Sequence, residues 1–561
     1  MTDLLKAGKK ALSLGDWTEA RRCFEASLKE RESPEAYDGL ASAAEWQHDE
    51  KTVFDSRERA YRLFLDRGDK ANAAMTAVWL AMDSRQFRGE QAVTRGWLQR
   101  AHRLLDSEGP SLEKGMLTFM EALFALMERN DTSTALSMAR EAARAGRASG
   151  NADLEMLATA LEGLSLVSSG RVQEGMRLLD EAGVAALSGD MTDLMAIGTA
   201  CCFLVDACDR VRDYDRADQW YGRIMDFTRR NNMEEMTAIC RPHYAVLLMW
   251  RGAFADAEKE LNTAIEYMSR IRPPMATEGV VRLADLRIRQ GRYKDAAALL
   301  RQVEREPLSQ LSLAELALSE GDPAAAEAMA ERYLRRLPVE NVVERAGGLE
   351  MMVRAKVAQG EFDAAGRALF DFEEAAASVG TGPIKAAASH AAGLLALGQG
   401  DNERARLRLE DAVDLYNSAG AVMETAKVRT ALARSLHALG RSDAAAREAG
   451  LAFDTLRQVG APREAEKAAE MLRVIASSRP SDARGESPGP DVLTQRELEV
   501  LKLIAAGKSN AEISELMVLS VRTVERHISN LYLKIGAEGK TARASATAYA
   551  YSRGLVGKQG A

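Results

Sequence analysis

A short phrase returns every forty residues or so along most of this chain, and few folds are compatible with such a rule. It consists of a glycine, a polar residue, an aromatic or small residue, two further positions and then an alanine. It stands clearly at Gly15–Ala20 (GDWTEA), Gly252–Ala257 (GAFADA), Gly291–Ala296 (GRYKDA), Gly360–Ala365 (GEFDAA), Gly400–Ala405 (GDNERA) and Gly440–Ala445 (GRSDAA). Weaker copies start at Asn130, Gly170, Arg212 and Gly321, and fainter ones near His48 and Arg88. Starts at 130, 170, 212, 252 and 291, and again at 321, 360, 400 and 440, lie 39 to 42 residues apart. The short step from 291 to 321 marks a tighter hairpin or a break. A fixed period of this length implies a solenoid of helical hairpins: glycine permits the turn, and alanine stands where two helices approach closely. Phe24 and Leu28 early, and Leu409 and Val413 late, fill the space to the next pair. One hairpin cannot bury both faces, so neighbours stack. About twelve hairpins are expected over residues 1–476.

The composition agrees. Proline is scarce at 13 of 561 residues, aromatics make up 6%, and no strand alternation is evident, so the fold class is all-α. The phrase resembles the tetratricopeptide repeat, most clearly in LGDWTEARRCFEASL. That resemblance implies a surface for a protein or peptide partner. The period exceeds that family's usual unit by about one helical turn. Trp220, Tyr221, Tyr244 and Trp250, and the methionines around Met225, Met233, Met236 and Met249, are read as helix packing. Arg/Glu runs are read as solvated faces.

The periodic pattern stops at SSRPSDARGESPGPD, where serine, proline, glycine and charge replace it. Residues 477–491 read as a flexible tether. The array spans 1–476 and a separate domain 492–561.

That last domain has its own punctuation. Thr494 and Glu497 form a capping box before a first helix with Leu498, Leu501 and Ala505 on one face, widened by Val500 and Ile504. Gly507 ends that helix. Ser509 caps a second, which is expected to bury Ile513 and Leu516. Ser520 caps a third, with Val524, Ile528, Leu531 and Ile535 inward and Gly536 at its end. A short helix, a tight turn and a longer helix make a helix-turn-helix, whose second member can enter the major groove. With Val524 and Ile528 inward, Arg522, Glu525, Arg526 and Ser529 point out. Arginine matches guanine O6/N7, and glutamate can accept from cytosine N4. Ser520 and Thr523 at the helix start match a phosphate.

The block resembles the LuxR-type (GerE-like) DNA-binding domain through L-T-x-R-E-x-E-V-L (Leu493–Leu501), G-x-S-N-x-E-I (Gly507–Ile513), S-x-x-T-V-x-x-H (Ser520–His527) and K-[IL]-G (Lys534–Gly536). One departure is visible: the arginine usually found soon after that glycine comes only at Arg543. The resemblance implies a bacterial transcriptional regulator binding double-stranded DNA. Glu525, Arg526 and Ser529 are expected to face bases. Lys508, Asn510, Ser520, Arg522, Thr523 and Lys534 are expected to face phosphates. The role of His527 stays open between packing and a backbone contact. The fourth helix, Ala542 to Ser552, with Ala544, Ala548 and Tyr551 on one side, is implied to form a homodimer. The alternative is an interaction scaffold whose tail no longer binds DNA.

Charge supports the division. From Asp491 to Ala561, ten Lys/Arg face seven Asp/Glu, a balance of +3; the remainder carries −11. Contact with nucleic acid therefore belongs to the tail. The five cysteines, Cys23, Cys201, Cys202, Cys208 and Cys240, are odd in number and apolar in context, as in reduced core thiols. A metal set of Cys208, Cys240 and His243 lacks a fourth ligand, so no metal and no cofactor are expected. Gly507-Lys508-Ser509 and Gly539-Lys540-Thr541 imitate the end of a phosphate loop, but Lys502 and Lys534 replace its first glycine. No catalytic constellation is evident, and no enzyme activity is expected. Neither a signal peptide nor an apolar run of membrane length is seen, so a cytoplasmic protein without membrane contact is expected.

Overall fold

The structure is a computed structural model. It describes residues 3–106, 109, 111–478, 493, 495–517, 519, 521–537, 542–553 and 555, except the side chains of 234, 235, 495, 522, 526 and 533. Every regular element among the described residues is a helix. The chain divides into two compact units, Met1–Ile475 and Ala476–Ala561. Of the tether expected at 477–491, Ser477 ends the helix Pro462–Ser477; residues 479–491 lie outside the described set.

The first unit holds twelve helical hairpins and a closing helix among its described residues. The repeated phrase is the chemistry of one turn. Gly15 takes φ +70, and the amides of Gly15 and Asp16 donate back to Leu12 and Ala11 at 3.1 and 3.0 Å. The Asp16 carboxylate then accepts from the Glu19 amide and caps the next helix. A left-handed residue followed by a capping aspartate recurs at His48–Asp49, Asn130–Asp131, Arg212–Asp213, Gly321–Asp322 and Gly400–Asp401. The weaker copies at Asn130 and Arg212 and the faint one at His48 are thus full turns in which these residues hold φ of 52, 56 and 59 without glycine, and the faint copy near Arg88 turns at Gly89 with φ +67. Ala20, Ala257, Ala296, Ala365, Ala405 and Ala445 are all fully buried. Gly175 stands at the equivalent place after Gly170, and a Cβ there would lie 2.4 Å from the Gly163 carbonyl oxygen, so these two backbones touch.

The short step has a structural cause. Tyr293–Gln302 and Gln310–Glu320 have 10 and 11 residues, against 18 in Phe362–Val379. Pro307, which has no amide hydrogen, opens a 3-10 turn between them.

The hairpins coil, and later ones lie against earlier ones. Trp17 Nε1 donates to the Asn232 carbonyl at 3.2 Å, His48 meets the Tyr267 hydroxyl at 2.9 Å, and Thr132 donates to Asn341 at 3.1 Å. Arg212 pairs with Glu350 at 2.8 Å, and Trp250 Nε1 donates to the Ala419 carbonyl at 2.8 Å. These partners are 138 to 219 residues apart. The aromatics act in packing: Tyr221 stacks on Tyr244 at 3.8 Å, and Trp250 lies between Tyr214 and Tyr416. The coil surrounds a cavity of about 1510 Å³, lined by residues from Arg85 to Lys467.

Candidate nucleic-acid interface

The second unit builds a small core around one helix-turn-helix. Val500, Leu501 and Ile504 of the first helix, Gln495–Ala505, are buried with Ile513, Val524, Ile528 and Leu531. Gly507 takes φ +77, and Lys508 N closes the turn on the Leu503 carbonyl at 3.0 Å. The second helix, Asn510–Met517, starts on a reciprocal capping box. Glu512 N donates to Ser509 Oγ at 3.3 Å, and Ser509 N donates to the Glu512 carboxylate at 2.8 Å. That backbone donor, with help from Lys508 and the Ser509 hydroxyl, holds the Glu512 carboxyl down at about 2. The capping box expected at Thr494 and Glu497 falls outside the described residues at Thr494.

One expected core residue is displaced. Leu516 is 60% exposed. Ile513 and Met517, four apart, carry the inner stripe instead of Ile513 and Leu516, three apart.

The third helix, Val521–Ile535, ends at Gly536 with φ +67. Glu525 and Ser529 are exposed one turn apart, and the Ser529 hydroxyl donates to the Glu525 carbonyl at 2.9 Å. Ser520 lies outside the described residues, as do the side chains of Arg522 and Arg526. Thr523 is half-buried, and His527 is 6% exposed, which places it in the packing.

The expected phosphate contacts have different surroundings. Lys508 is paired with Glu512 at 3.1 Å, both side chains more than 40% exposed. Such a pair contributes roughly 0–1 kcal/mol and yields readily to a phosphate. Lys534 instead reaches Glu497 at 2.7 Å, whose carboxylate is buried, and so ties the third helix to the first. Asn510 Oδ1 accepts from Arg543 at 2.9 Å, and the same guanidinium bonds the Lys508 carbonyl. The late arginine therefore has a place: it clasps the turn before the second helix. Arg496 does the same at the other end, donating to the Met517 carbonyl at 3.1 Å while pairing with Glu499. Neither role was visible in the sequence, because both depend on reach between helices.

The fourth helix, Ala542–Ser552, buries Ala542, Ala546 and Ala550. Ala544, Ala548 and Tyr551 stay exposed on its other side. Among the described residues no helix is long and apolar enough to cross a membrane.

Comparison with known proteins gives a match for each unit. Residues 491–546 match the family described as bacterial regulatory proteins, luxR family. Residues 5–72, 245–309 and 281–341 match the tetratricopeptide repeat. The transcriptional regulatory protein LiaR of Bacillus subtilis is 42% identical over 73 residues, which is 13% of this chain and 33% of LiaR. The response regulator protein VraR of Staphylococcus aureus is 38% identical over 66 residues, 12% of this chain and 30% of VraR. The chain thus spans about a third of the length of these relatives. Among solved structures, the APC/C hetero-tetramer Cut9-Hcn1 aligns over 85% of this chain and 95% of its own, with 12% identity and a TM-score of 0.45. The chain carries a LuxR-type helix-turn-helix domain at its C-terminal end and tetratricopeptide repeats in the array before it.

Proposed function

We propose that this protein is a DNA-binding transcriptional regulator in which the tail reads promoter DNA and the array docks a protein or peptide partner. The observation that carries the reading is the third helix: it is anchored inward by Val524, Ile528 and Leu531 and presents Glu525 and Ser529 outward one turn apart. In this reading the helix lies in the major groove, with Glu525, Arg526 and Ser529 towards bases. Lys508, Asn510, Ser520, Arg522 and Thr523 approach phosphates, and Lys534 does so only at the expense of its bond to Glu497. Residues 1–476 act as the docking array, 477–491 as the tether and 492–561 as the reader. The exposed Ala544, Ala548 and Tyr551 face forms a homodimer, which fits two symmetry-related half-sites. The protein works in the cytoplasm.

The test is a mobility-shift assay on genomic fragments selected by the full-length protein. Arg526→Ala is expected to cost about 1–3 kcal/mol at one base pair and to relax sequence choice there. Unchanged binding by this variant overturns the docking of the third helix. One observation favours a second reading, an interaction scaffold with a silent tail: Lys508 and Lys534 are both engaged by carboxylates. In that reading the wild-type chain selects no fragment at all.

A further inference from the structure

The cavity inside the coil differs in charge from the rest of the array. Among the described residues, thirteen lysines and arginines and eleven aspartates and glutamates line it, a balance of +2. Residues 1–490 carry −11 in all, so everything outside the lining carries −13. An acidic body thus encloses a basic hollow, and a concave wall concentrates its field. Nine of the eleven lining carboxylates are paired within the wall, as in Arg212–Glu350 at 2.8 Å, Arg354–Glu315 at 2.6 Å and Arg289–Glu424 at 2.5 Å. Six lining cations, Arg129, Arg305, Arg336, Lys427, Arg434 and Arg463, have no carboxylate within 4.0 Å among the described residues. Only two lining carboxylates, Asp285 and Glu306, stand outside such pairs among those residues. A merely solvated face would share the acid excess of the rest of the chain.

These cations are spread along the coil. Lys427 and Arg434 lie on the helix Val422–Ala438, seven residues apart and so on one face. Arg463 belongs to the helix Pro462–Ser477, and Gly291 leaves room for its stem: a Cβ there would lie 2.4 Å from Arg463 Cγ. Arg129, Arg305 and Arg336 come from three other hairpins. A single small anion would need its cations to converge on one point. Cations on several hairpins match an extended chain with several negative charges. The wall favours a peptide over a nucleic acid. Trp250 is buried between Tyr214 and Tyr416, so the largest ring in the lining offers no face on which a base can stack. The paired guanidinium and carboxylate groups supply donors and acceptors for peptide amides.

We propose that the partner of the array is an acidic peptide segment, which lies extended in the cavity with its carboxylates at Lys427, Arg434 and Arg463. This rests on the reading of the array as a docking surface and is independent of DNA binding by the tail.

The experiment follows the fluorescence anisotropy of labelled peptides of about ten residues, up to about 33 Å when extended, with the full-length protein. One alternates glutamate with alanine, and two others carry glutamine or lysine in place of glutamate. The glutamate peptide is expected to bind at least about tenfold more tightly than either of the others and to weaken as salt is added. Lys427→Glu combined with Arg434→Glu should weaken it at least about tenfold. Tryptophan fluorescence should not change, because neither side chain is held in an ion pair. Arg144→Glu combined with Arg177→Glu alters the net charge equally at exposed cations outside the lining and should leave binding as it is. Equal binding of the glutamine peptide overturns the acidic partner and leaves docking standing. The proposal also falls if the Lys427/Arg434 variant binds like the wild type, if the Arg144/Arg177 variant loses as much, or if single-stranded oligothymidylate displaces the glutamate peptide. A chain that binds none of the three peptides overturns both the proposal and the docking role beneath it.

Discussion

The array and the tail share left-handed glycine stops, but they hold their turns in different ways. In the array a left-handed residue stands in each of the twelve hairpin turns among the described residues, in six of them a capping aspartate follows it in sequence, and burial comes from the next hairpin. In the tail the turns borrow side chains from other helices. Arg496 caps the second helix from the first, Arg543 clasps the turn before it from the fourth, and Lys534 joins the third helix to Glu497 of the first. A repeat has neighbours on both sides, so local chemistry suffices for its turns. A domain with one small core has none to spare and fixes its geometry with long polar reach.

One set of distant charges in the array is buried outright. Arg57 forms an ion pair with Asp83 at 2.6 Å and bonds Glu45 at 2.9 Å, and Arg272, from one coil further on, approaches Glu45 at 3.5 Å and bonds Gln86. All four charged groups are at most 4% exposed. Removing one member leaves the others buried without balance, so Arg57→Ala should cost about 3–5 kcal/mol. All six tryptophans lie in the array, so urea unfolding followed by tryptophan fluorescence reports that unit alone. The comparison breaks if Arg57→Ala leaves that transition in place, or if it abolishes DNA binding by the tail under conditions where the array is still folded.

The next effect concerns pH. Burial pushes His243 down, but Glu278 and the hydrogen-bonded Asp209 outweigh it and carry the imidazole up to about 9. Arg282 and Asp206 complete the charges around it. Because the folded value lies above the unfolded one, this histidine stabilises the array fully below about pH 6.5. The contribution is lost as pH rises through about 9 and amounts to about 3 kcal/mol. His243→Gln should flatten the pH dependence of the tryptophan-detected transition over that window. A wild-type transition that does not move between pH 6 and 9 refutes the assignment.

How much of this was legible in sequence follows from where each constraint sits. The hairpin turns were legible because a left-handed residue selects glycine, and the buried alanines because close helices tolerate nothing larger. The copies at Asn130 and Arg212 read as weaker and that at His48 as faint because their side chains or carbonyls serve the neighbouring coil: His48 meets Tyr267, Asn341 donates to the Asn130 carbonyl, and Arg212 pairs with Glu350. Coil-to-coil contacts span 138 to 219 residues and leave no local pattern. In the tail the inner stripe of the third helix was legible from its period. Leu516 was misplaced because an eight-residue helix offers too few turns to separate spacing of three from spacing of four.

The smallest effect separates two lysines that look alike in sequence. Lys508 and Lys534 were both expected on phosphates, yet Lys508 faces an exposed carboxylate and Lys534 a buried one. An exposed pair contributes little and exchanges freely for a phosphate. Lys508→Ala should therefore weaken all DNA sequences alike and reduce the salt dependence of binding by about one unit, with the tail as stable as before. Lys534→Ala should remove the cation that faces the buried Glu497 carboxylate and lower the tail's own stability by about 1–3 kcal/mol, read by hydrogen exchange at the third helix, while the salt slope holds. If the two variants exchange these signatures, Lys534 is the phosphate ligand, and the tie between the first and third helices gives way when the tail meets DNA.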